Sequence, residues 1–309
     1  MVETTRLQLP QYRVLFQLGG SFAVSTALAL AQRWHPGRIA CIEGSFHGLG
    51  IDSLSATTIH KHFALQETPL LETLTKDIVR IHSGEIPTHW DDISCLIYEP
   101  IQGANGYVPL EPTWLQALTE SAAKNGVITI ADEIQCGFFR HGTLSPARCI
   151  GLTPDILLYS KSMTNGLFPF SAVVYRRDLE EKMTSPITLA HTFQTSAIGC
   201  YAAYAVSQYL DSHALESDIT RINRQFLILK QQLAEMPNVS NLYVTGPTLS
   251  FEVTSGGARE LVQKALLEGL MVFIGGSQGQ RIRVAPPLIT SDEQMEYASK
   301  ILLKIVPTI

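Results

Sequence analysis

No apolar run in this 309-residue chain reaches the ~20 residues that a membrane-spanning helix requires. The opening stretch, MVETTRLQLPQYRV, also lacks the apolar centre of a secretory signal. Basic residues are not in excess: the formal net charge is −5, which gives nucleic acid no electrostatic footprint. Cysteine is scarce and unpatterned. Five residues (Cys41, Cys95, Cys136, Cys149, Cys200), an odd number without a C-x-x-C pair, argue against a disulfide framework and against a zinc site. A reducing compartment, the cytoplasm, is therefore expected. Internal repeats and low-complexity linkers are missing too, so no segment is read as a tether.

What the chain does have is core. At 45% hydrophobic residues it can bury a large domain and a smaller one. Helical patterns alternate with short apolar runs, which predicts a mostly parallel central sheet flanked by helices, an α/β class. GGSFAVSTALALAQRW, TPLLETLTKDIVRI, TWLQALTESAAKNG and SAIGCYAAYAVSQYLDS read as helices; RIACIEG, ISCLIYEP, VITIAD, DILLYS and FSAVVY read as strands. From about Leu215 the texture changes to a long helix, ITRINRQFLILKQQLAEM, followed by the short strands NLYV, LSFEV, LMVFI and RIRVA. The expected division is a large domain over residues 1–214 and a smaller α+β domain over 215–309.

Residues 127–166 organise the remainder. Two buried-strand runs each end on one charged residue: VITIA delivers Asp132 and DILLYS delivers Lys161. The carboxyl edge of an α/β sheet is where ligands bind. Either residue alone is more often the solvated start of a loop. Together they suit pyridoxal phosphate (PLP): a partly desolvated lysine can form a Schiff base with an aldehyde, and a buried aspartate can keep a pyridine nitrogen protonated. Other candidates stand nearby. Gly20 and Ser21 open the first helix, where backbone N–H groups receive anions, although Ser21 is also read as a helix cap. EGSFHG carries Phe46 and His47, the latter left outside the catalytic set; YEPIQGANGYVP carries Glu99; DEIQCGFFRHG carries Gln135; AHTFQTSA carries Thr192; RIRVAPPLIT carries Arg283, with Arg281 as its structural competitor.

In this order, from about Phe16 to Leu288, these stretches resemble the class III (ω-type) aminotransferases, a branch of the fold-type I PLP enzymes. The resemblance implies PLP as cofactor, with Lys161 as the Schiff-base lysine and Asp132 on the pyridinium. It places Phe46 on the ring face, Gln135 at the phenolic oxygen, Glu99 in the cofactor loop, and Gly20 and Ser21 at the phosphate. Thr192 would reach the phosphate of a partner subunit's cofactor, making a homodimer with shared sites; Arg283 would fork a substrate carboxylate. The departures are Phe22 and Ser25 in place of two glutamates, Cys136 for threonine, and Ala104 for the glutamate that pairs with the substrate arginine in the ornithine-type branch, which argues against an ornithine-like, dual-carboxylate-gated substrate. Phe139 replaces a glycine and either narrows the entrance or packs on the neighbouring domain. The family carries roughly one hundred residues ahead of the glycine-serine helix on ordinary domain-size reckoning. The short leader here implies a trimmed member, a fragment, or a chain completed by a second polypeptide. The expected function is transfer of an amino group between a small amine or amino acid and a keto or aldehyde acceptor. A racemase, epimerase, aminomutase or decarboxylase, or a non-catalytic relative, is the alternative. No metal is expected, and neither nucleic acid nor membrane is an expected partner.

Overall fold

The computed structural model describes residues 7, 9–59, 77–182, 191–254 and 256–309. Seven strands form the larger sheet, in the order β1-β9-β8-β7-β4-β2-β3. Its parallel part comprises β2 (Arg38–Ile42), β3 (Ile78–Ile81), β4 (Ile93–Tyr98), β7 (Ile128–Asp132) and β8 (Ile156–Tyr159). β9 (Ser171–Arg176) runs antiparallel to β8, and β1 (Tyr12–Gln17) antiparallel to β9. A two-stranded hairpin, β5 (Ile101–Gln102) with β6 (Val108–Pro109), follows β4.

The middle strands are apolar at nearly every position because both faces of the sheet are covered. Cys95, Ile97, Ile128, Ile130, Ile156 and Leu158 pack under helix α1 (Gly20–Trp34), which buries Ala23, Val24, Ala27, Leu28, Leu30 and Ala31 against them. The alternate residues Leu96, Tyr98, Ala131, Leu157 and Tyr159 share the opposite core with Leu115, Leu118 and Ala122. Those three belong to α3 (Pro112–Lys124); the short α2 (Ile51–Ala56) lies between β2 and β3, and the single-turn α4 (Pro146–Cys149) between β7 and β8. Helix α3 starts cleanly because Glu111 accepts from the N–H groups of Thr113 and Trp114 ahead of Pro112.

After α5 (Ala197–Ser212) and α6 (Leu215–Ala234) comes a four-stranded antiparallel sheet, ordered β10-β11-β13-β12. Its strands are β10 (Val239–Val244), β11 (Leu249–Val253), β12 (Phe273–Gly275) and β13 (Arg281–Val284), with helices α7 (Gly257–Leu267) and α8 (Asp292–Ile305). Phe226, Phe251, Leu261, Ile282 and Leu302 form a core of their own beside it.

Two sequence expectations are corrected and one unassigned stretch is resolved. The helix drawn through IVRI is a strand at Ile78–Ile81, where β-branched residues pair with β2; the part of that expectation over 60–76 lies outside the described residues. YRVLFQ, unassigned from sequence, is an edge strand. The strand read over LMVFI is only Phe273–Gly275.

At the sheet edge away from the ligand side, buried Asp155 accepts from Thr129 N–H (2.8 Å) and Thr129 Oγ1 (2.9 Å) and receives Arg176. It thereby fastens β7, β8 and β9. Asp155→Ala strips the acceptor from the buried Thr129 N–H and takes one of two carboxylates from the half-exposed Arg176, which keeps Asp178, and should lower unfolding free energy by about 2 kcal/mol. The shift in the urea midpoint, multiplied by the slope of the wild-type transition, measures the loss.

Candidate active site

The carboxyl ends of β2, β4, β7 and β8 meet the first turn of α1 around a cavity of about 200 Å³. β2 continues to β3 in one direction along the sheet, while β4, β7 and β8 proceed in the other. The cavity thus lies at the crevice where strand order reverses. Gly20, Ser21, Phe46, Glu99, Asp132, Gln135 and Lys161 all line it. Two larger hollows, of about 520 and 670 Å³, have mostly apolar walls; a third, of about 390 Å³, brings Glu296 and Lys300 together only as an exposed pair one turn apart on α8. Among the described residues no group of His, Cys, Asp and Glu is arranged to hold a metal ion.

Strand register explains the carboxylates. Tyr98 pairs with Ala131, so Glu99 emerges one step past β4 beside Asp132. Asp132 is buried and both its oxygens have donors: Ile134 N–H reaches Oδ1 at 3.1 Å and His47 Nδ1 reaches Oδ2 at 2.7 Å. An ionised carboxylate only accepts, so Nδ1 carries the hydrogen. His47 is in turn fixed by its backbone N–H on Thr57 Oγ1 at 2.9 Å. Sequence reasoning set His47 aside as a lone histidine in a turn; the fold brings it against Asp132 from the end of a different strand. Glu99 accepts from Phe46 N–H (2.9 Å) and Gly103 N–H (3.0 Å). Burial pushes its carboxyl up to about 7, opposed by His47 and reinforced by Asp132. Glu133, buried behind Asp132 and bonded by Ser145 and Ala147, is likewise raised to about 7 by burial.

The start of α1 is built for an anion. Its cap, Gly19, has no side chain to satisfy the first N–H groups, and the first turn holds no acidic residue. Ser21 sits inside the helix, so the reading of Ser21 as the cap is corrected. Gly48, at φ 121°, brings the turn after β2 so close that a Cβ there would overlap Ser21 Oγ. Only glycine permits that approach. Gln135 packs over Gly103 so closely that a Cβ on Gly103 would overlap its Oε1.

Lys161 opens a 3₁₀ turn, Lys161–Met163, with left-handed backbone at φ 43°. Ser160 before it anchors the turn by donating to Phe170 O at 2.7 Å. The expectation of a partly desolvated lysine is corrected: Lys161 is exposed at the cavity rim, because the chain turns beyond the covered sheet edge.

Arg283 and Arg281 share one face of β13, and register separates them. Glu252 stands opposite Arg281 and pairs with it at 2.6 Å, while the residue opposite Arg283 is Ser250. Arg283 is half-buried and makes no ion pair among the described residues; it donates to Ile274 O and Gly103 O, each at 3.1 Å. It thus reaches the loop that Glu99 holds without lining the cavity itself. Thr192 is exposed in the turn before α5 and does not line the cavity either, although His191 meets Phe22 edge-on at 4.9 Å. Phe139 is buried with Leu215 and Ile219, which decides for packing over narrowing the entrance. Cys136 is buried, its Sγ 3.8 Å from Asp132 O.

The donor set fits pyridoxal phosphate in kind. Asp132 keeps lone pairs beyond the two already engaged, enough to accept a ring N–H. Lys161 offers an amine at the rim, and the uncapped helix start beside Ser21 offers N–H groups of the kind that receive a phosphate.

Comparison with known proteins agrees. The model of the family described as aminotransferase class-III matches residues 1–306. An acetylornithine aminotransferase of Methanothermobacter thermautotrophicus is 28% identical over 303 residues, spanning 96% of this chain and 75% of its own. A succinylornithine transaminase of Salmonella paratyphi A is 28% identical over 299 residues, spanning 92% and 71%. Among solved structures, an ornithine aminotransferase from Toxoplasma gondii, with PLP at partial occupancy in its active site, matches with a TM-score of 0.84. It is 25% identical and covers 96% of this chain and 73% of its own. The chain belongs to the class III aminotransferases and is a PLP-dependent enzyme of amino-group transfer.

Proposed function

We propose that Lys161, Asp132, Phe46, Glu99, Gln135, Gly20 and Ser21 form the cofactor site of this aminotransferase, with His47 as an added positioning residue and Arg283 receiving the substrate's carboxylate. The observation that carries the reading is the convergence of Asp132 and Lys161, from adjacent parallel strands, on a cavity that the uncapped start of α1 also reaches. When bound, PLP supplies an aldehyde that condenses with amines and a ring that draws electrons from the substrate carbon. Asp132 holds a proton on the ring nitrogen, and its direction is set by His47 and the Ile134 N–H. Lys161 Nζ, exposed at the rim, moves the proton at the substrate's amino-bearing carbon. Ser21 and the N–H groups at the helix start take the phosphate, Gln135 the phenolic oxygen, and Phe46 the ring face. Glu99 shapes the pocket by tying the Phe46 and Gly103 loops together.

The relatives' names include ornithine derivatives, which are carboxylate-bearing amino donors. Arg283 suits such a donor: a half-buried cation facing Ser250 rather than an acid favours an anionic ligand. Ala104 offers no carboxylate to neutralise it, so the arginine stands open to substrate.

We also propose a homodimer. Helix α5 buries Gly199 and Ala202 but leaves Ile198, Tyr201, Tyr204 and Tyr209 exposed, an apolar face that a second copy would cover. Thr192, exposed just ahead of that helix, would then serve the partner's cofactor. Residues 215–309, with their own sheet and core, are assigned as the smaller domain, and the cytoplasm as the place of action.

Three outcomes test this reading. Wild-type protein mixed with PLP should develop a visible absorption band that fades on adding an amino donor; Lys161→Ala should show no such band, and an unchanged band in that variant would remove Lys161 from its role. His47→Leu leaves Asp132 with one fewer buried hydrogen bond and should weaken PLP retention about tenfold in equilibrium dialysis. In sedimentation velocity the wild type should run as a dimer and Tyr201→Glu as a monomer; a monomeric wild type would end the dimer proposal.

A further inference from the structure

The residue beneath Arg283 has no assigned task. Tyr107 follows the 103–106 turn, is only 7% exposed, and adopts left-handed backbone at φ 57°. That conformation is uncommon for an aromatic residue, so the surroundings must hold it. They do so from two sides. The guanidinium carbon of Arg283 lies 5.5 Å from the centroid of the Tyr107 ring, and the His141 ring meets Tyr107 edge-on at 5.0 Å. His141 is itself fixed by Thr245 Oγ1 at 2.7 Å and Thr248 Oγ1 at 3.0 Å. Burial pushes His141 down to about 3, so it brings no positive charge to the neighbourhood of Arg283.

Arg283 is thereby restrained by an aromatic face below and by two carbonyls, Ile274 O and Gly103 O, on its flanks. Two of its five N–H groups are used, which leaves a forked edge for a carboxylate. A long side chain without an acidic partner would otherwise spread over many rotamers, and ordering it would weaken ligand binding. The ring makes that loss of freedom part of folding instead.

We propose that Tyr107 is the positioning residue of Arg283 and, through it, a determinant of selectivity for carboxylate-bearing substrates; this rests on the reading that Arg283 receives the substrate's carboxylate. Discrimination between an amino acid and a plain amine then depends on an aromatic ring that touches neither.

The test uses PLP-loaded protein and glutarate, an unreactive dicarboxylate, with binding measured by calorimetry. Tyr107→Phe keeps the ring and should bind as the wild type does. Tyr107→Asn suits left-handed backbone but lacks the ring, and should bind about fivefold to tenfold more weakly, the scale of one partly desolvated cation–π contact. Tyr107→Gly, which frees the backbone, should match Tyr107→Asn, while Arg283→Leu should not bind detectably. The visible PLP band should persist in all four variants. Should Arg283→Leu lose glutarate while Tyr107→Asn and Tyr107→Gly retain wild-type affinity, the proposal is wrong and the role of Arg283 stands. Equal weakening by Tyr107→Phe and Tyr107→Asn would equally overturn the ring's role. A wild type that fails to bind glutarate, or an Arg283→Leu variant that binds it as tightly, would sink both readings.

Discussion

Asp132 and His47, both buried and 2.7 Å apart, are the contact on which the rest of the site depends. A carboxylate taken out of water is unfavourable by several kcal/mol unless its oxygens find donors. Here each does: the imidazole takes one and the Ile134 N–H the other. The neighbouring carboxyl of Glu99 is satisfied in the same manner by two backbone N–H groups. The donors belong to turns that follow different strands, so the cluster fixes the turn after β2 against the ends of β4 and β7. Disturbing one member orphans another, which makes the group cooperative.

The same loop carries this order toward the smaller sheet. Glu99 holds Gly103 by its N–H, Arg283 holds Gly103 by its carbonyl, and Gly276 N–H bonds Ala104 O at 3.0 Å. The cavity at the sheet edge and Arg283 are therefore joined through a single turn. A shift of the smaller sheet would be felt at Glu99 without any side chain crossing the space between.

Much of this was legible in the residues alone. Doubly covered parallel strands leave unbroken apolar runs, and Asp132 and Lys161 stood out because each ends one. The glycines marked the start of α1, but whether Ser21 capped it or stood inside it was open until the structure placed Gly19 at the cap. His47 was not legible, because a histidine in a polar turn gives no sign of a partner 85 positions away. The resemblance chose Arg283 over Arg281, but the residues themselves gave no physical reason, which comes from antiparallel register setting Glu252 against Arg281 and Ser250 against Arg283. β1 and β3 escaped for a further reason: they lie at the two edges of the sheet, covered less completely, so their patterns are short and mixed.

Lys161 adopts left-handed backbone at φ 43°, a conformation that costs most residues with a Cβ about 1 kcal/mol or more and is borne best by glycine and asparagine. Under selection for folding alone, the position would drift toward glycine or asparagine. A lineage that stopped using the amine would meet no stability barrier to discarding it, and the first replacements would make the protein sturdier. On the role proposed for Lys161, lysine at this position is a historical marker: its persistence in a descendant reports continued use, and its loss would be an early trace of a retired enzyme.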